Sequence, residues 1–503
     1  MEKIRLTGRD SRLSLLQLEI VRNKILNVFP HMEVELIPRS SRGDLMTGIP
    51  LQTVEGSDFF TADIFDMLKE DQADIAVHSL KDMSSEHFFG EHYFAVVDRD
   101  DTRDMAIFNP DILDKIRKGV PVIIGTCSPR REEMALTFLR KALPQLKDTI
   151  QIEVRPIRGN VETRLRKLND GIYDGTLLAT AGVNRLLRSK EDAPLISSLL
   201  KGKKIMILPL IECVPAPCQG AIVAESIPGN KKAVELLKAI NDAGLFEDCY
   251  TEKKRAVEYG TGCLQQFGVT TINTARGKYQ YAAGRDNQGT SFVHWHPGPD
   301  LSVVSVPLFS TTDYMRDFFR YEWLETGPDI PTSTVFIANY KMLNHPRGTA
   351  YLDGKRILAS GTKTWYELAA KGYWVTACAD ALGFEFLASA LHMPVLSIRS
   401  AEVFILTHAD AAERWQEKGY AAAGTYRLQP VMSPGICEAI SQATAICWSS
   451  YAQYQYYGIY AGKQVIHICA GGETARLLQE AGLDPVVFPT IKAFEQWRKT
   501  TTR

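Results

Sequence analysis

Few residues in this 503-residue chain combine types and spacing that suit chemistry. Lys81 and Asp82 stand side by side at the end of Ala73-Asp-Ile-Ala-Val-His-Ser79-Leu-Lys81-Asp82, and many arginines fall at the ends of expected elements. One cysteine, Cys263, sits among loop formers in Gly260-Thr261-Gly262-Cys263. A carboxylate can serve as acid, base or electrostatic partner of a developing cation. The planar guanidinium fork binds carboxylates bidentately and stays charged, where lysine offers a point charge. Together these residues fit a polycarboxylate substrate and a covalent attachment. Taken singly, Asp82 also fits a helix cap or a salt-bridge partner, and Cys263 an inert thiol.

The elements that must position these groups follow an α/β rhythm over the first 240 residues: a β-rich run, a polar and basic loop, then a helix with apolar spacing. Ile75-Ala76-Val77 and Val122-Ile123-Ile124 read as buried strands. After the second, Ser128 reads as an N-cap and Pro129 as the first helical residue, with Leu136, Leu139 and Leu143 forming the buried stripe. Arg130 and Arg131 then fall in the first turn. There they oppose the helix dipole at a cost of about 0.3–1 kcal/mol each, so the junction asks for an anion. Arg155-Pro-Ile-Arg158-Gly159-Asn160, leading into Val161, Leu165 and Leu168 with Arg164 in the first turns, asks the same.

Residues 243–328 read as a small α+β unit, with alternating stretches at Tyr279 to Ala283 and Ser291 to Trp295 and an aromatic helix from about Thr312 to Glu325. Gly327-Pro328-Asp329-Ile330-Pro331 reads as a linker. Beyond it, Gly361-x-x-Thr364-x3-Leu368-x3-Gly372 recurs as Gly471-x-x-Thr474-x3-Leu478-x3-Gly482, which predicts two similar α/β lobes. Gly361-Thr-Lys-Thr364 lacks the glycine spacing of a phosphate-binding loop, so no nucleotide site is expected.

Composition sets the outer bounds. Apolar residues make up 45% and charged residues 23%, as in soluble multidomain proteins. A formal net charge of -1 gives no basic field for nucleic acid or an anionic membrane. The opening Met-Glu-Lys-Ile-Arg-Leu shows no signal pattern and no apolar run reaches membrane-spanning length, so a cytoplasmic protein is expected, by default a monomer. Nine irregularly spaced cysteines without a Cys-x-x-Cys pair indicate reduced thiols. His294-x-His296 lacks a third ligand motif, and no metal is proposed.

In order along the first 265 positions, the chain resembles the porphobilinogen deaminase (hydroxymethylbilane synthase) family. The resemblance rests on Ile4-Arg-Leu-Thr-Gly-Arg9-Asp-Ser11-x5-Gln17, the Ser79-Leu-Lys81-Asp82 segment, Gly125-Thr126-Cys-Ser128-Pro-Arg130-Arg131, Arg158-Gly-Asn160-x3-Arg164-Leu, Leu178-Ala-x-Ala181-Gly182-x2-Arg185-Leu and Pro215-Ala-Pro-Cys-Gln219-Gly220-Ala221. It implies a dipyrromethane cofactor held by thioether to Cys263 and extended by four porphobilinogen units with loss of ammonia. By the same resemblance Asp82 protonates the leaving amine, stabilises the azafulvene cation and takes up the proton from the attacked pyrrole carbon. Ser79, Lys81, Asp82, Thr126, Ser128, Arg130, Arg131, Arg158 and Gln219 contact the cofactor, while Arg9, Ser11, Arg158, Arg164 and Arg185 bind substrate. The implied fold class is multidomain α/β: two periplasmic-binding-protein-like domains (1–98 with 218–240, and 103–213), a small α+β domain (243–328) carrying the cysteine, and a two-lobed module (332–503).

The chain departs from that family at a loop after Arg42-Gly43-Asp44, where two usual lysines read Thr53 and Ser57, and at Thr261, where a second glycine is common. From about Thr332 to Trp497 the chain resembles uroporphyrinogen-III synthase, through the duplicated Gly-x-x-Thr motif, Gly424-Thr-Tyr426-Arg427-x-x-Pro430 and Ala445-Ile-Cys-Trp-Ser449-Ser450. That family's opening strand and helix are not recognisable, and Phe336-Ile-Ala338-Asn339 lacks the usual Thr-Ser. Tyr426 is the nominated catalytic position, with a structural tyrosine as the alternative. The resemblances imply a bifunctional enzyme that makes hydroxymethylbilane and cyclises this linear tetrapyrrole to uroporphyrinogen III. Two alternatives remain: a deaminase with a non-catalytic C-terminal module, and a non-enzymatic anion-binding protein.

Overall fold

Short apolar runs followed by capped helices produce two five-stranded sheets in the first half of the chain. The computed structural model describes residues 3–40, 61–147, 149–260, 265–274, 276–298, 307–314, 317–325 and 329–501. Arg42-Gly43-Asp44, Thr53, Ser57, Thr261, Cys263 and the linker residues Gly327 and Pro328 lie outside the described residues. The chain divides into two compact units: Met1–Thr271 with Tyr281–His294 and Met393–Ser397, and Ile272–Gln280 with Trp295–His392 and Ile398–Arg503.

In the first unit, one sheet runs in the order Glu33–Arg39, Lys3–Arg9, Ile75–Ser79, Ala221–Ser226, Tyr93–Arg99. The first three strands are parallel, and Ala221–Ser226 is antiparallel to both its neighbours. Leu18, Val21 and Ile25 of helix Arg12–Val28 pack with Leu236 and Leu237 of helix Lys231–Ile240 over Ile4, Leu6, Ile75 and Val77. Ile64, Phe65 and Leu68 of helix Ala62–Lys69 join another cluster with Ala76. Both faces are covered, which is why the central strands Ile75–Ser79 and Ala221–Ser226 are buried almost throughout, whereas Lys3–Arg9 and Glu33–Arg39 towards the edge alternate.

The second sheet repeats the plan: Ile152–Arg155, Val122–Gly125, Gly175–Ala179, Asp104–Phe108, Lys204–Ile207. Its parallel strands are Ile152–Arg155, Val122–Gly125 and Gly175–Ala179, and Asp104–Phe108 is antiparallel to both neighbours. The chain crosses from the first sheet to the second after Arg99 and returns before Ala221. The expected cap is present: Ser128 accepts from the Arg131 amide at 3.4 Å and Pro129 opens helix Pro129–Ala142. Phe138, rather than the half-buried Leu136, joins Leu139 and Leu143 in the buried stripe.

Helix Ala243–Tyr259 is fastened by a buried acid. Glu252, fully buried, accepts from Arg99 at 3.0 and 2.8 Å and from the amides of Cys218 at 2.7 Å and Thr271 at 2.6 Å. A three-stranded sheet follows, built from Gln266–Thr274, Gly277–Arg285 and Ser291–His296.

In the second unit, a six-stranded sheet runs Phe319–Trp323, Ala422–Pro430, Val403–His408, Thr334–Ile337, Arg356–Ala359, Val375–Cys378, and a four-stranded sheet runs Leu308–Ser310, Ala445–Trp448, Ile466–Ala470, Val486–Phe488. The repeat occupies matching places, each copy leading from a strand into Thr362–Ala370 or Glu473–Glu480. Its last glycine has a shared backbone reason. Gly372 (φ +85°) and Gly482 (φ +82°) end their helices in the left-handed region. The next amides, of Tyr373 and Leu483, return to the carbonyls of Leu368 and Leu478, each at 3.1 Å.

Two expectations are corrected here. Thr312 to Glu325 is not an aromatic helix, because Phe319–Trp323 is a strand antiparallel to Ala422–Pro430. Its burial alternates, with Phe319, Tyr321 and Trp323 turned inward and Arg320 and Glu322 outward, a period of two that suits a strand. The expected boundary between 328 and 332 also fails to follow the strands. Leu308–Ser310 pairs in parallel with Ala445–Trp448, so the second unit recruits its edge strand from before the linker.

Candidate active site

The loops leaving the carboxyl ends of the parallel strands in both five-stranded sheets line one cavity of about 580 Å³. Ligands of open α/β sheets bind at such ends. At its floor, strand Ile75–Ser79 passes into a tight turn, Leu80–Asp82. Leu80 and Met83 are buried and fix the turn, while Lys253 donates from Nζ to the Met83 carbonyl, and Lys81 and Asp82 line the cavity. Burial pushes the Lys81 ammonium below its usual range, and Asp82 opposes that shift.

Arg130 and Arg131 meet their anion inside the protein. Arg130 donates to Asp104 Oδ2 at 2.8 Å and to the Val214 carbonyl at 2.5 Å, and Arg131 donates to Asp104 Oδ1 at 2.8 Å. Gln219 Nε2 adds a bond to Asp104 Oδ1 at 2.9 Å. Burial pushes the Asp104 carboxyl up, but the two guanidiniums more than offset this and hold it well below the usual carboxylate range. Arg131 still lines the cavity, and its buried Nε lacks a hydrogen-bond partner among the described residues, whereas Arg130 is not among the described lining residues. Asp104 was not nominated from sequence. The available signal was an acid heading the otherwise apolar strand Asp104–Phe108.

Three further expected contacts serve the scaffold instead of lining the cavity. Thr126 Oγ1 accepts from the Ser128 amide at 3.2 Å, Ser128 caps its helix, and Gln219 is turned onto Asp104 and the Thr102 carbonyl. Small polar residues beside a helix start satisfy backbone amides first.

Arg9, Ser11, Ser79, Arg158, Arg164 and Arg185 all line the cavity, as expected of them. Asn160 caps helix Val161–Asn169 by accepting from the Thr163 amide at 2.8 Å, and Arg164 Nε donates to the Gly159 carbonyl at 2.9 Å. Burial, reinforced by Arg131, lowers Arg164 to about 10. A guanidinium depressed in this way is poised to gain from a bound anion. Arg185 is held by Asp98 at 2.9 Å and by the Gly220 carbonyl at 2.6 Å. Cys127, Thr61 and Thr163 also line the cavity without having been nominated. Tyr426 belongs to the second unit, and Cys263 lies outside the described residues. His294 Nδ1 is 2.7 Å from the Tyr259 hydroxyl, and among the described residues no group of three or more His, Cys, Asp or Glu could hold a metal ion. No helix among the described residues is long and apolar enough to cross a membrane.

Behind the floor, the buried Glu225 carboxylate sits 2.6 Å from His78 Nε2 and 2.7 Å from His87 Nε2. Burial raises its pKa, but the two imidazoles more than offset that and hold it at about 2, against 4.5 ordinarily. Its contribution to stability is therefore complete above about pH 4.5 and is lost as pH falls towards 2. Urea unfolding of the parent and Glu225→Gln should show a stability gap that is widest above pH 4.5 and narrows on acidification. A pH-independent gap would contradict this.

Asp82 is the one carboxylate among the described lining residues, which also include Arg9, Lys81, Arg131, Arg158, Arg164 and Arg185. Fold and site together define an α/β cleft whose described lining holds six cationic side chains and one acid. A family model described as "Porphobilinogen deaminase, dipyromethane cofactor binding domain" matches residues 4–235. Porphobilinogen deaminases from Nitrosomonas europaea and Chromobacterium violaceum are each 33% identical, over 53% and 54% of this chain and 79% and 80% of their own lengths. A probable porphobilinogen deaminase from Pyrobaculum islandicum is 32% identical over 58% of this chain and 90% of its own. Among solved structures, a probable amino-acid ABC transporter extracellular-binding protein from Bacillus subtilis aligns with 51% of this chain and 97% of its own at 12% identity, with a TM-score of 0.28. The chain belongs to the porphobilinogen deaminase family. Residues 4–235 are its dipyrromethane-binding part, and the unpartnered Arg131 Nε and depressed Arg164 at the cavity fit a group rich in carboxylates.

Proposed function

We propose that the chain condenses four porphobilinogen units into hydroxymethylbilane with loss of ammonia, on a dipyrromethane cofactor attached through Cys263, and that its C-terminal unit closes this linear tetrapyrrole to uroporphyrinogen III. The observation that carries the first part is that Asp82 is the one carboxylate, among six cationic side chains, of the described lining residues. When bound, the cofactor supplies the pyrrole carbon from which the chain grows. The arginines receive acetate and propionate groups, because a guanidinium matches a carboxylate bidentately and a cleft of cations lowers the cost of gathering several of them. Asp82 gives a proton to the leaving amine as the carbon–nitrogen bond breaks. It then faces the positive charge left on the substrate and takes up the proton displaced when the new carbon–carbon bond forms. Asp82 in turn opposes the loss of charge that burial imposes on Lys81 beside it.

For the second activity, support comes from the paired lobes and from Tyr426, buried in strand Ala422–Pro430, which is the residue we place at the ring-closing site. We read the protein as a cytoplasmic monomer acting on small molecules, in keeping with a formal charge of -1 that suits neither nucleic acid nor an anionic membrane.

Intact mass tests the first part. Expressed in cells able to supply porphobilinogen, the parent should carry the added mass of two pyrrole units and a Cys263→Ser variant should not. A folded, unmodified parent would sink the working-deaminase reading. The isomer of uroporphyrinogen formed from porphobilinogen tests the second part, since unassisted closure gives no inverted ring.

A further inference from the structure

In the six-stranded sheet of the second unit, the neighbouring strands Thr334–Ile337, Arg356–Ala359 and Val403–His408 are parallel, and Ala422–Pro430 continues that direction beside the last. Their carboxyl ends gather Lys341, Lys363 and His408, with Tyr426 paired across from His408. Lys341 stands 4.3 Å above the Tyr321 ring, and its Nζ meets the Tyr321 hydroxyl. The Tyr321 ring lies 5.5 Å from that of Tyr426. Tyr426 is 1% exposed, yet its hydroxyl makes no hydrogen bond to the described residues. His408 Nδ1 is buried and has no hydrogen-bond partner among the described residues.

Asp410 acts on His408 there, but neither Lys341 nor Lys363 has a carboxylate partner among the described residues, and burial followed by repulsion from Lys363 lowers Lys341 to about 8. Lys363 itself lies 5.3 Å above the Tyr340 ring. Burial, then Arg414, lowers His408 to about 4, leaving it a neutral ring at physiological pH. A half-desolvated ammonium beside a second cation and unpartnered donors persists at a cost that a bound carboxylate would relieve.

The geometry points to a second carboxylate-binding site at the carboxyl edge of this sheet, in which Lys341 and Lys363 receive one carboxylate of a polycarboxylate ligand and the Tyr426 hydroxyl bonds the same molecule. It deepens, and rests on, the reading of the C-terminal unit as acting on a linear tetrapyrrole. The lysines are binding residues, fixing which carboxylate is seated and hence how the ligand is presented to Tyr426.

The test uses the full-length holoenzyme and uroporphyrin I, an eight-carboxylate probe. Lysines are acetylated briefly with acetic anhydride at pH 8 and read peptide by peptide by mass spectrometry. With the probe at about ten times its dissociation constant, Lys341 should be protected about tenfold, while the exposed Lys463 should not change. In Lys363→Gln, the protection of Lys341 at the same probe concentration should fall severalfold. Equal labelling of Lys341 with and without the probe overturns the site. The isomer formed from porphobilinogen is read separately. Protection with only uroporphyrinogen I upholds the carboxylate site and sinks the ring-closing role. Isomer III without protection overturns the site and leaves that role standing.

Discussion

An Asp82→Asn enzyme is expected to consume porphobilinogen about 10²–10⁴-fold more slowly than the parent, with KM changed far less than kcat. The amide keeps the shape of the side chain but cannot give, hold and take back a proton. It also removes the one negative charge among the described lining residues of the cavity. The cavity-lining cations Arg9, Arg131, Arg158, Arg164 and Arg185 are untouched, so substrate should still be gathered. Lys81 loses the neighbour that props up its charge, and its pKa should drop further. Steady-state kinetics on the purified variant decide the matter, and a kcat within about tenfold of the parent would remove Asp82 from the proton path.

The second large effect falls on stability. Replacing Asp104 with Ala should destabilise the first unit by about 3–5 kcal/mol, the usual cost of stranding buried charge. Here one carboxylate holds two guanidiniums and a carboxamide, with Arg130, Arg131 and Gln219 all buried around it. Urea denaturation should show the loss. Adding Arg130→Met to Asp104→Ala should recover part of it, because one stranded charge is then removed together with its partner. Were the double variant to lose stability by the sum of the two single changes, the clamp would not be acting as a unit.

Much of the fold was legible because local signals agreed with the tertiary outcome. Ser128 and Pro129 start a helix, Ile75 to Val77 is a buried strand, and the terminal glycines of the repeat sit where a left-handed residue is needed. Much of the site was legible too, since Lys81, Asp82 and most of the nominated arginines line one cavity. What stayed hidden required knowledge of partners. That first-turn arginines want an anion could be read, but not that the anion is Asp104, which precedes them by a whole strand and helix. Motif position alone puts Thr126, Ser128 and Gln219 in the cleft, whereas the partners they find are backbone amides, a carbonyl and that same carboxylate. In Phe319 to Trp323 aromatic density suggests a helix and masks a period of two, which the pairing with Ala422–Pro430 exposes.

The edge strand Leu308–Ser310 also governs how the gene can be cut. A break at the proline-rich stretch near residue 330 looks natural in sequence, yet it would leave Ala445–Trp448 with one side open and take Phe319–Trp323 away from Ala422–Pro430. The C-terminal fragment would begin with a bare sheet edge, an invitation to pair with other chains. It would also lack Tyr321, the platform beneath Lys341. The N-terminal fragment would carry two orphaned strands as a sticky tail. A cut that keeps both strands with the sheets they complete has to fall before Leu308.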